Sequence, residues 1–226
     1  WICVPGWKPG NSPLFEPDRQ MNKIEFCFDF GSPTAYFAWN MLRRLKETCG
    51  TEIVWHPMLL GGVFKATGNT SPVSIPAKGA FMNADLKRFA AKYGIEYTFN
   101  SHFPINTLIL MRGAAGLLND DRFDAYVAAV FDAIWKDNQN MGEMDVAGKV
   151  LVDAGFDPAE FMAMVGDDTV KDSLKSLTED AVQRGVFGAP TMFVGDDMYF
   201  GQDRMHFVAE AVGANICDIA PDYIKS

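Results

Sequence analysis

Residues 24–39 read IEFCFDFGSPTAYFAW, and this stretch decides how the fold begins. Its first apolar residues fall on every second position, which predicts a β-strand with one buried face: Ile24, Phe26, Phe28 and Phe30. Ser32 and Pro33 then predict a helix start, because serine is a good N-cap and proline suits the first helical position. A second β-prone run follows at residues 52–56. A strand, a helix and a strand in this order predict a βαβ unit with parallel strands.

The middle of the chain is helical, and strands return near its end. Apolar stripes at helical spacing predict helices at residues 86–93, 108–118, 123–135, 146–155, from 157 onward, and 174–185. Residues 191–194 are β-prone, residues 195–197 predict a hairpin turn, and residues 198–200 pair back before a last helix at about 203–213. Without its helical middle, the chain is a βαβ unit followed by a ββα unit, which is the thioredoxin arrangement.

We therefore predict an α/β, thioredoxin-like fold with an inserted all-helical domain. The thioredoxin-like domain comprises residues 22–60 and 186–216, and residues 61–185 form a connecting loop and the helical insertion. Within that connection, the glycines at residues 61–69 favour a loop that crosses a cleft rather than a long helix.

The first residues have a different character. Residues 1–20 contain four prolines and no regular apolar period. We interpret them as an upstream segment, with Met21 as the start of the protein. The alternative is a native arm that packs on the surface.

Composition and charge exclude several kinds of partner. The 226 residues contain 20 Lys and Arg against 29 Asp and Glu, which gives a net charge of −9. Binding to nucleic acid depends on neutralising phosphates, and binding to anionic membranes depends on basic residues, so this charge argues against both. No run approaches the about 18 consecutive apolar residues that span a membrane.

Cysteine and histidine spacing gives no redox pair and no metal motif. The four cysteines are Cys3, Cys27, Cys49 and Cys217, and no two of them have CxxC spacing. The three histidines are far apart, so we predict no metal site. Scattered cysteines in a chain of this size are typical of a reducing compartment, and we predict a cytoplasmic protein in which Cys27 packs rather than reacts.

Ser32 is the first candidate for chemistry. At the N-cap of the first predicted helix, free backbone N–H groups and the positive end of the helix dipole stabilise an anion. A thiolate placed there gains charge-assisted hydrogen bonds and a lower pKa. The alternative is that Ser32 only caps the helix.

Two further candidates lie near the returning strands. Pro190 comes directly before a strand, where proline is unusual, and one explanation is a cis peptide bond that leaves the backbone groups of Ala189 free to pair with an extended ligand. The alternative there is an ordinary edge turn. The segment Phe200-Gly201-Gln202-Asp203 lies between a strand and a helix. Asp203 either caps that helix or binds a ligand ammonium group while nearby N–H groups bind a carboxylate.

Lys65 is the candidate in the predicted loop. Its ammonium can meet a substrate carboxylate or a developing enolate oxygen. The alternative is a solvated lysine on the surface.

Four segments, in this order and spacing, together resemble one known family: IEFCFDFGSPTAYFAW (24–39), LLGGVFKATGN (59–69), SHFPINTL (101–108) and GVFGAPTMFVGDDMYFGQDR (185–204). They look like the 2-hydroxychromene-2-carboxylate isomerases and, more widely, the kappa-class glutathione transferases, which share the DsbA-like thioredoxin fold. The similarity covers residues 22–213. The second segment is closer in form to the kappa transferases than to the naphthalene-pathway isomerases, so the resemblance indicates glutathione more firmly than the substrate.

The resemblance implies a role for each candidate. Glutathione would bind in the thioredoxin half, with its sulfur against Ser32 and its backbone paired with Ala189 before the family's cis-proline. The γ-glutamyl end would be held by Phe200, Gly201, Gln202 and Asp203. The polar loop positions near the active site, which bind the substrate, would be Lys65 and Asn69.

The resemblance also implies the reaction. It indicates a glutathione-dependent isomerase of an unsaturated 2-oxo acid or its cyclic hemiketal, acting by reversible thiol addition, bond rotation and elimination. One alternative is a kappa-like glutathione transferase or peroxidase that acts on apolar electrophiles. Another is a non-enzymatic DsbA-like binding protein. Ser32-Pro33-Thr34-Ala35 stands where CxxC would be, which disfavours a disulfide oxidoreductase. Family members are usually homodimers, and bacterial ones act in aromatic breakdown, so we expect a homodimer acting on an aromatic or unsaturated acid.

Overall fold

The computed structural model describes residues 22–220, without the side chains of residues 216 and 217. The interpretation of residues 1–20, with Met21 as the start, lies outside the described residues. The strands are β1 (Lys23–Phe28), β2 (Glu52–Pro57), β3 (Thr191–Val194) and β4 (Asp197–Phe200). The helices are α1 (Pro33–Cys49), α2 (Leu60–Thr67), α3 (Pro76–Tyr93), α4 (Leu108–Gly116), α5 (Phe123–Trp135), α6 (Met144–Asp153), α7 (Pro158–Gly166), α8 (Asp168–Gln183), α9 (Met205–Ala211) and α10 (Ile216–Ile219), with short 3-10 turns at Pro72–Ser74 and Gln202–Arg204.

The described strands form one mixed sheet in the order β2–β1–β3–β4. β1 and β2 are parallel, whereas β3 runs antiparallel to both β1 and β4. The predicted βαβ and ββα units are therefore confirmed, and so is the α/β thioredoxin-like class. Helices α2 to α8 lie between the two units along the chain, and one apolar cluster joins Phe28 of β1 to Phe131 of α5. The division of the chain into two domains at the predicted boundaries stays a prediction.

Strand β1 is buried on both faces. Phe26 and Phe28 have no exposed surface and pack into the large apolar cluster on one side of the sheet. On the other side, Cys27 packs in a second cluster with Val63 of α2 and Ala181 of α8. Burial raises the pKa of the Cys27 thiol to about 12, so the thiol stays protonated at neutral pH and the predicted packing role is confirmed.

The prediction of a loop at residues 61–69 is wrong over most of its length, because α2 forms at Leu60–Thr67. Its start is stabilised by distant partners: the N–H of Leu60 donates to the Asp29 carboxylate at 2.8 Å, and the N–H of Leu59 donates to the Thr178 hydroxyl at 2.9 Å. The helix ends at Gly68, whose φ of +73° is the left-handed geometry that glycine favours. Tertiary contacts thus override the low helix propensity of two adjacent glycines.

None of the helices described here is both long and apolar enough to cross a lipid bilayer.

Candidate functional site

Ser32 occupies the N-cap of the 17-residue helix α1. Its backbone is extended, and its hydroxyl accepts the N–H of Ala35 at 3.2 Å. Pro33 follows in the first turn, as predicted. Ser32 is buried, so its hydroxyl lies beside the positive end of the helix dipole with little competing water. This position stabilises an anion.

Two hydroxyl groups meet at one carbonyl beside this cap. Ser32 Oγ and Thr34 Oγ1 are 2.9 Å apart, and each lies 3.1 Å from the carbonyl oxygen of Ala189. A hydroxyl has only one hydrogen to donate. Either Ser32 donates to Ala189 and Thr34 to Ser32, or Thr34 donates to Ala189 and the Ser32 hydrogen is free for another acceptor. Sequence reasoning missed Thr34, because only the fold brings it to Ala189.

The Ala189–Pro190 peptide bond is cis, as expected. The expectation that both backbone groups of Ala189 are free is wrong for the carbonyl, which accepts from the two hydroxyls. The N–H of Ala189 has no hydrogen-bond partner among residues 22–220. It is therefore the backbone group available to an extended ligand.

Two more predicted positions lie beside the cis-proline. Asn69 Nδ2 donates to the carbonyl of Phe187 at 2.8 Å, and the rings of Phe187 and Phe200 lie 4.5 Å apart. The N–H of Gly201 donates to the carbonyl of Pro190 at 3.0 Å. These contacts bring Asn69, Phe200 and Gly201 to the same edge of the molecule as Ala189.

In the segment from Gly201 to Asp203, the exposed carboxylate is that of Asp203. Gly201 has a φ of +93°, which a residue with a side chain rarely adopts, and Gln202 is buried. Asp203 is exposed and accepts a hydrogen bond from Arg204 Nη1 at 2.6 Å. It makes no capping hydrogen bond to α9 or to the 3-10 turn before it, so the capping alternative is wrong.

Lys65 lies on the wall of a cavity of about 600 Å³ between α2, α4 and α8. Leu59, Leu108, Leu174 and Val182 give this wall an apolar part. Its charged residues are mostly basic: Lys65, Arg112, Lys171 and Lys175, with Glu179 as the acid. Among residues 22–220, no hydrogen bond joins Lys65 to Ser32, Thr34 or Ala189. Sequence reasoning missed the basic residues of α4 and α8, because nothing in their spacing indicates that these helices meet.

Asp29 connects the N-cap of α1 to the starts of α2 and α4, two of the helices that border this cavity. It is buried, and its Oδ1 accepts hydrogen bonds from the Gly31 N–H at 2.8 Å and the Thr107 hydroxyl at 2.7 Å, while Oδ2 accepts from the Leu60 N–H. Burial raises the pKa of the Asp29 carboxyl, and the three hydrogen bonds oppose that shift. Gly31 precedes Ser32, so one carboxylate fixes the cap relative to α2 and α4. The alternating strand pattern gave no sign of this burial.

Metal-binding groups are dispersed over residues 22–220: nowhere do three His, Cys, Asp or Glu side chains come together in a way that could hold an ion. His56 instead bonds through Nε2 to the carbonyl oxygen of Leu177 at 2.8 Å, which is a structural contact.

Comparison with known proteins places this chain in a family. Residues 23–213 match the family model of the DSBA-like thioredoxin domain. The 2-hydroxychromene-2-carboxylate isomerase of Pseudomonas sp. (strain C18) is 32% identical over 195 residues, covering 84% of this chain and 90% of that protein. Glutathione S-transferase kappa 1 of Homo sapiens is 26% identical over 208 residues, covering 84% and 90%.

A solved structure agrees with the sequence comparison. The structure of a 2-hydroxychromene-2-carboxylate isomerase superposes with a TM-score of 0.78 at 30% identity, covering 84% of this chain and 94% of that one. The chain therefore belongs to the DsbA-like thioredoxin-domain family, in the group that contains the 2-hydroxychromene-2-carboxylate isomerases and the kappa-class glutathione transferases.

Proposed function

We propose that this protein is a glutathione-dependent isomerase of an unsaturated 2-oxo acid or its cyclic hemiketal. The relatives are named for 2-hydroxychromene-2-carboxylate isomerisation and for glutathione transfer, which supports the reaction and the cofactor. The observation that carries the proposal is the Ser32 and Thr34 hydroxyl pair at the N-terminus of α1, beside Ala189.

The residues around this pair fit glutathione. A thiol placed there loses its proton readily, because a hydroxyl hydrogen and a helix N-terminus both stabilise the thiolate. The unpartnered N–H of Ala189 would pair with the tripeptide backbone. The segment from Phe200 through Gly201 and Gln202 to Asp203 would hold the γ-glutamyl end, with the exposed Asp203 carboxylate opposite its ammonium group.

The protein's own side chains would have separate roles in this reaction. When bound beside Ser32, glutathione would supply the thiolate for reversible addition to the electrophilic carbon, a chemistry that permits bond rotation and returns the thiolate on elimination. Ser32 donates its hydrogen toward the sulfur while Thr34 keeps the carbonyl of Ala189 satisfied. Lys65 stabilises the negative charge that develops on the substrate's enolate oxygen or its carboxylate, which is electrostatic catalysis. Asn69 follows α2, the helix that carries Lys65, and its bond to the carbonyl of Phe187 would hold the end of that helix beside the segment before the cis-proline.

The kappa-class relatives favour a second candidate, a glutathione transferase or peroxidase acting on apolar electrophiles. It would use the same thiolate but would consume glutathione, so stoichiometry separates the two. The test is to mix protein, glutathione and 2-hydroxychromene-2-carboxylate and to follow both the ultraviolet spectrum and total free thiol. An isomerase interconverts the isomers at constant thiol and needs only catalytic glutathione. Loss of thiol in step with substrate would identify a transferase. A reaction no faster with the protein than without it, at any glutathione concentration, would leave the binding-protein alternative.

We also propose that the protein acts as a cytoplasmic homodimer on an aromatic or unsaturated acid, in line with the family it belongs to. Light scattering at several protein concentrations measures the oligomeric state. A monomer at all concentrations would contradict the dimer.

A further inference from the structure

The cavity between α2, α4 and α8 contains an arginine with no partner. Arg112 of α4 is half-buried on its wall. Among the arginines of residues 22–220, it alone makes no hydrogen bond, ion pair or ring contact. The others contact a carboxylate, a carbonyl or a ring: Arg43 with Trp39, Arg44 with the carbonyl of Ile219, Arg88 with Asp85, Arg122 with Asp120, Arg184 with Glu25, and Arg204 with Asp203.

An unpaired guanidinium in this position is unfavourable for the protein alone. Arginine stays protonated in proteins, so it cannot shed its charge when it loses water. A partly buried charge without a counter-ion loses hydration that nothing replaces. The chain has 29 acidic residues against 20 basic ones, so a lack of carboxylates does not explain the missing partner. The arrangement is understandable if a ligand supplies the anion.

The other basic residues of the cavity are less available. Lys171 bonds to Asp168 at 2.8 Å, and Lys175 lies 3.9 Å from Glu179. Lys65 and Arg112 are therefore the cavity's unpaired cations among the described residues. They suit different groups, because a guanidinium binds both oxygens of a carboxylate in parallel, whereas an ammonium is a compact point charge.

We infer that Arg112 binds the carboxylate of the substrate, which leaves Lys65 to stabilise the enolate oxygen. The apolar wall formed by Leu108, Leu174 and Val182 would contact the hydrocarbon part. The substrate class is then an apolar acid whose carboxylate enters between α4 and α8. This inference rests on the proposed function for taking the cavity as the substrate site, but carboxylate binding itself can be tested without turnover.

The experiment compares two probes of the same shape, trans-cinnamate and trans-cinnamamide, titrated into the full chain by calorimetry with and without glutathione. Arg112→Met removes the charge and keeps the length of the side chain, whereas Arg112→Lys keeps a charge without the planar fork. Lys87→Met is the matched control, because it removes one positive charge from an exposed position of α3 outside the cavity wall. Thermal melts check that each variant is folded.

We expect the wild type and Lys87→Met to bind the carboxylate about tenfold to a hundredfold more tightly than the amide, which is the range for a charged hydrogen-bonded contact. Arg112→Met should lose this preference, and Arg112→Lys should keep part of it. In turnover, Arg112→Met should raise KM while the affinity for glutathione is unchanged.

Two results would overturn the inference: no preference for the carboxylate in the wild type, or an equal preference in Arg112→Met. Glutathione binding in the same samples reports separately on the proposed function. If glutathione does not bind but Arg112→Met still abolishes the preference for the carboxylate, the proposed function fails and the carboxylate site stands.

Discussion

Replacing Thr34 with valine tests how the hydroxyl pair works. Valine keeps the branched shape of threonine and removes only its hydroxyl. In the wild type, Thr34 Oγ1 lies 3.1 Å from the carbonyl oxygen of Ala189 and 2.9 Å from Ser32 Oγ. Without it, Ser32 is the remaining hydroxyl that reaches this carbonyl, also at 3.1 Å. The single hydrogen of Ser32 cannot then serve both the carbonyl and a glutathione thiolate.

The structure sets the size of the effect. Leaving a buried carbonyl without a donor costs about 1–3 kcal/mol, and giving up a hydrogen bond to a charged group costs about 1.5–3 kcal/mol. In Thr34→Val, the less costly choice is for Ser32 to keep its hydrogen bond to the thiolate and for the carbonyl of Ala189 to lose its donor. Ala189 is only half-buried, so we take the lower end, about 1 kcal/mol, which is about a fivefold lower ratio of bound thiolate to bound thiol.

The assay is the ultraviolet absorbance of the thiolate in the glutathione complex, measured against pH. Thr34→Ser is the control, because it keeps the hydroxyl and should restore the wild-type ratio. An unchanged ratio in Thr34→Val would refute the reasoning. An equal decrease in Thr34→Val and Thr34→Ser would also refute it, since that result would reflect packing rather than the hydroxyl.

Three further variants test neighbouring parts of the account. Ser32→Ala removes the cap and the thiolate donor, so denaturant unfolding should show a loss of about 1 kcal/mol, and the thiolate ratio should fall about tenfold or more. Asp29 has a raised pKa in the fold. The free energy of unfolding of the wild type should therefore decrease as the pH rises from the unfolded-state pKa of about 3.9 through the higher folded-state pKa. In Asp29→Asn, denaturant unfolding measured across the same pH range should not show this decrease. In Gly113→Ala, the new Cβ would overlap the Tyr126 hydroxyl and come within 2.8 Å of the Phe161 ring, so a thermal melt should show a loss of about 1–3 kcal/mol, and an unchanged Tm would contradict the packing described.

Local patterns were sufficient to predict most of the architecture. The period-two run ending at Phe30 and the Ser32-Pro33 helix start predicted the βαβ unit, which is confirmed, although the strand itself ends at Phe28 and Phe30 lies in the turn before the helix. Helix α2 was missed, because the partners of its first N–H groups, Asp29 and Thr178, are remote in sequence. A single sequence read for periodicity does not contain those contacts.

The candidate site divides in the same way. Ser32 and Ala189 were predicted to act together through the family resemblance, and the structure places them in contact across 157 positions. Thr34 and Arg112 were missed for a physical reason. Thr34 resembles any polar residue in a first helical turn, and Arg112 resembles any arginine on a helix. Their meaning depends on which atoms do or do not lie beside them in the folded chain.

Binding of glutathione as a thiolate is the central claim, and titrating glutathione into the full chain at neutral pH tests it most directly. Calorimetry would measure the affinity and stoichiometry, and ultraviolet absorbance would measure the ionisation of the bound thiol. We predict saturable binding of one glutathione per chain, with the bound thiol largely ionised. No saturable binding, or binding of the neutral thiol with no thiolate absorbance, would contradict the account.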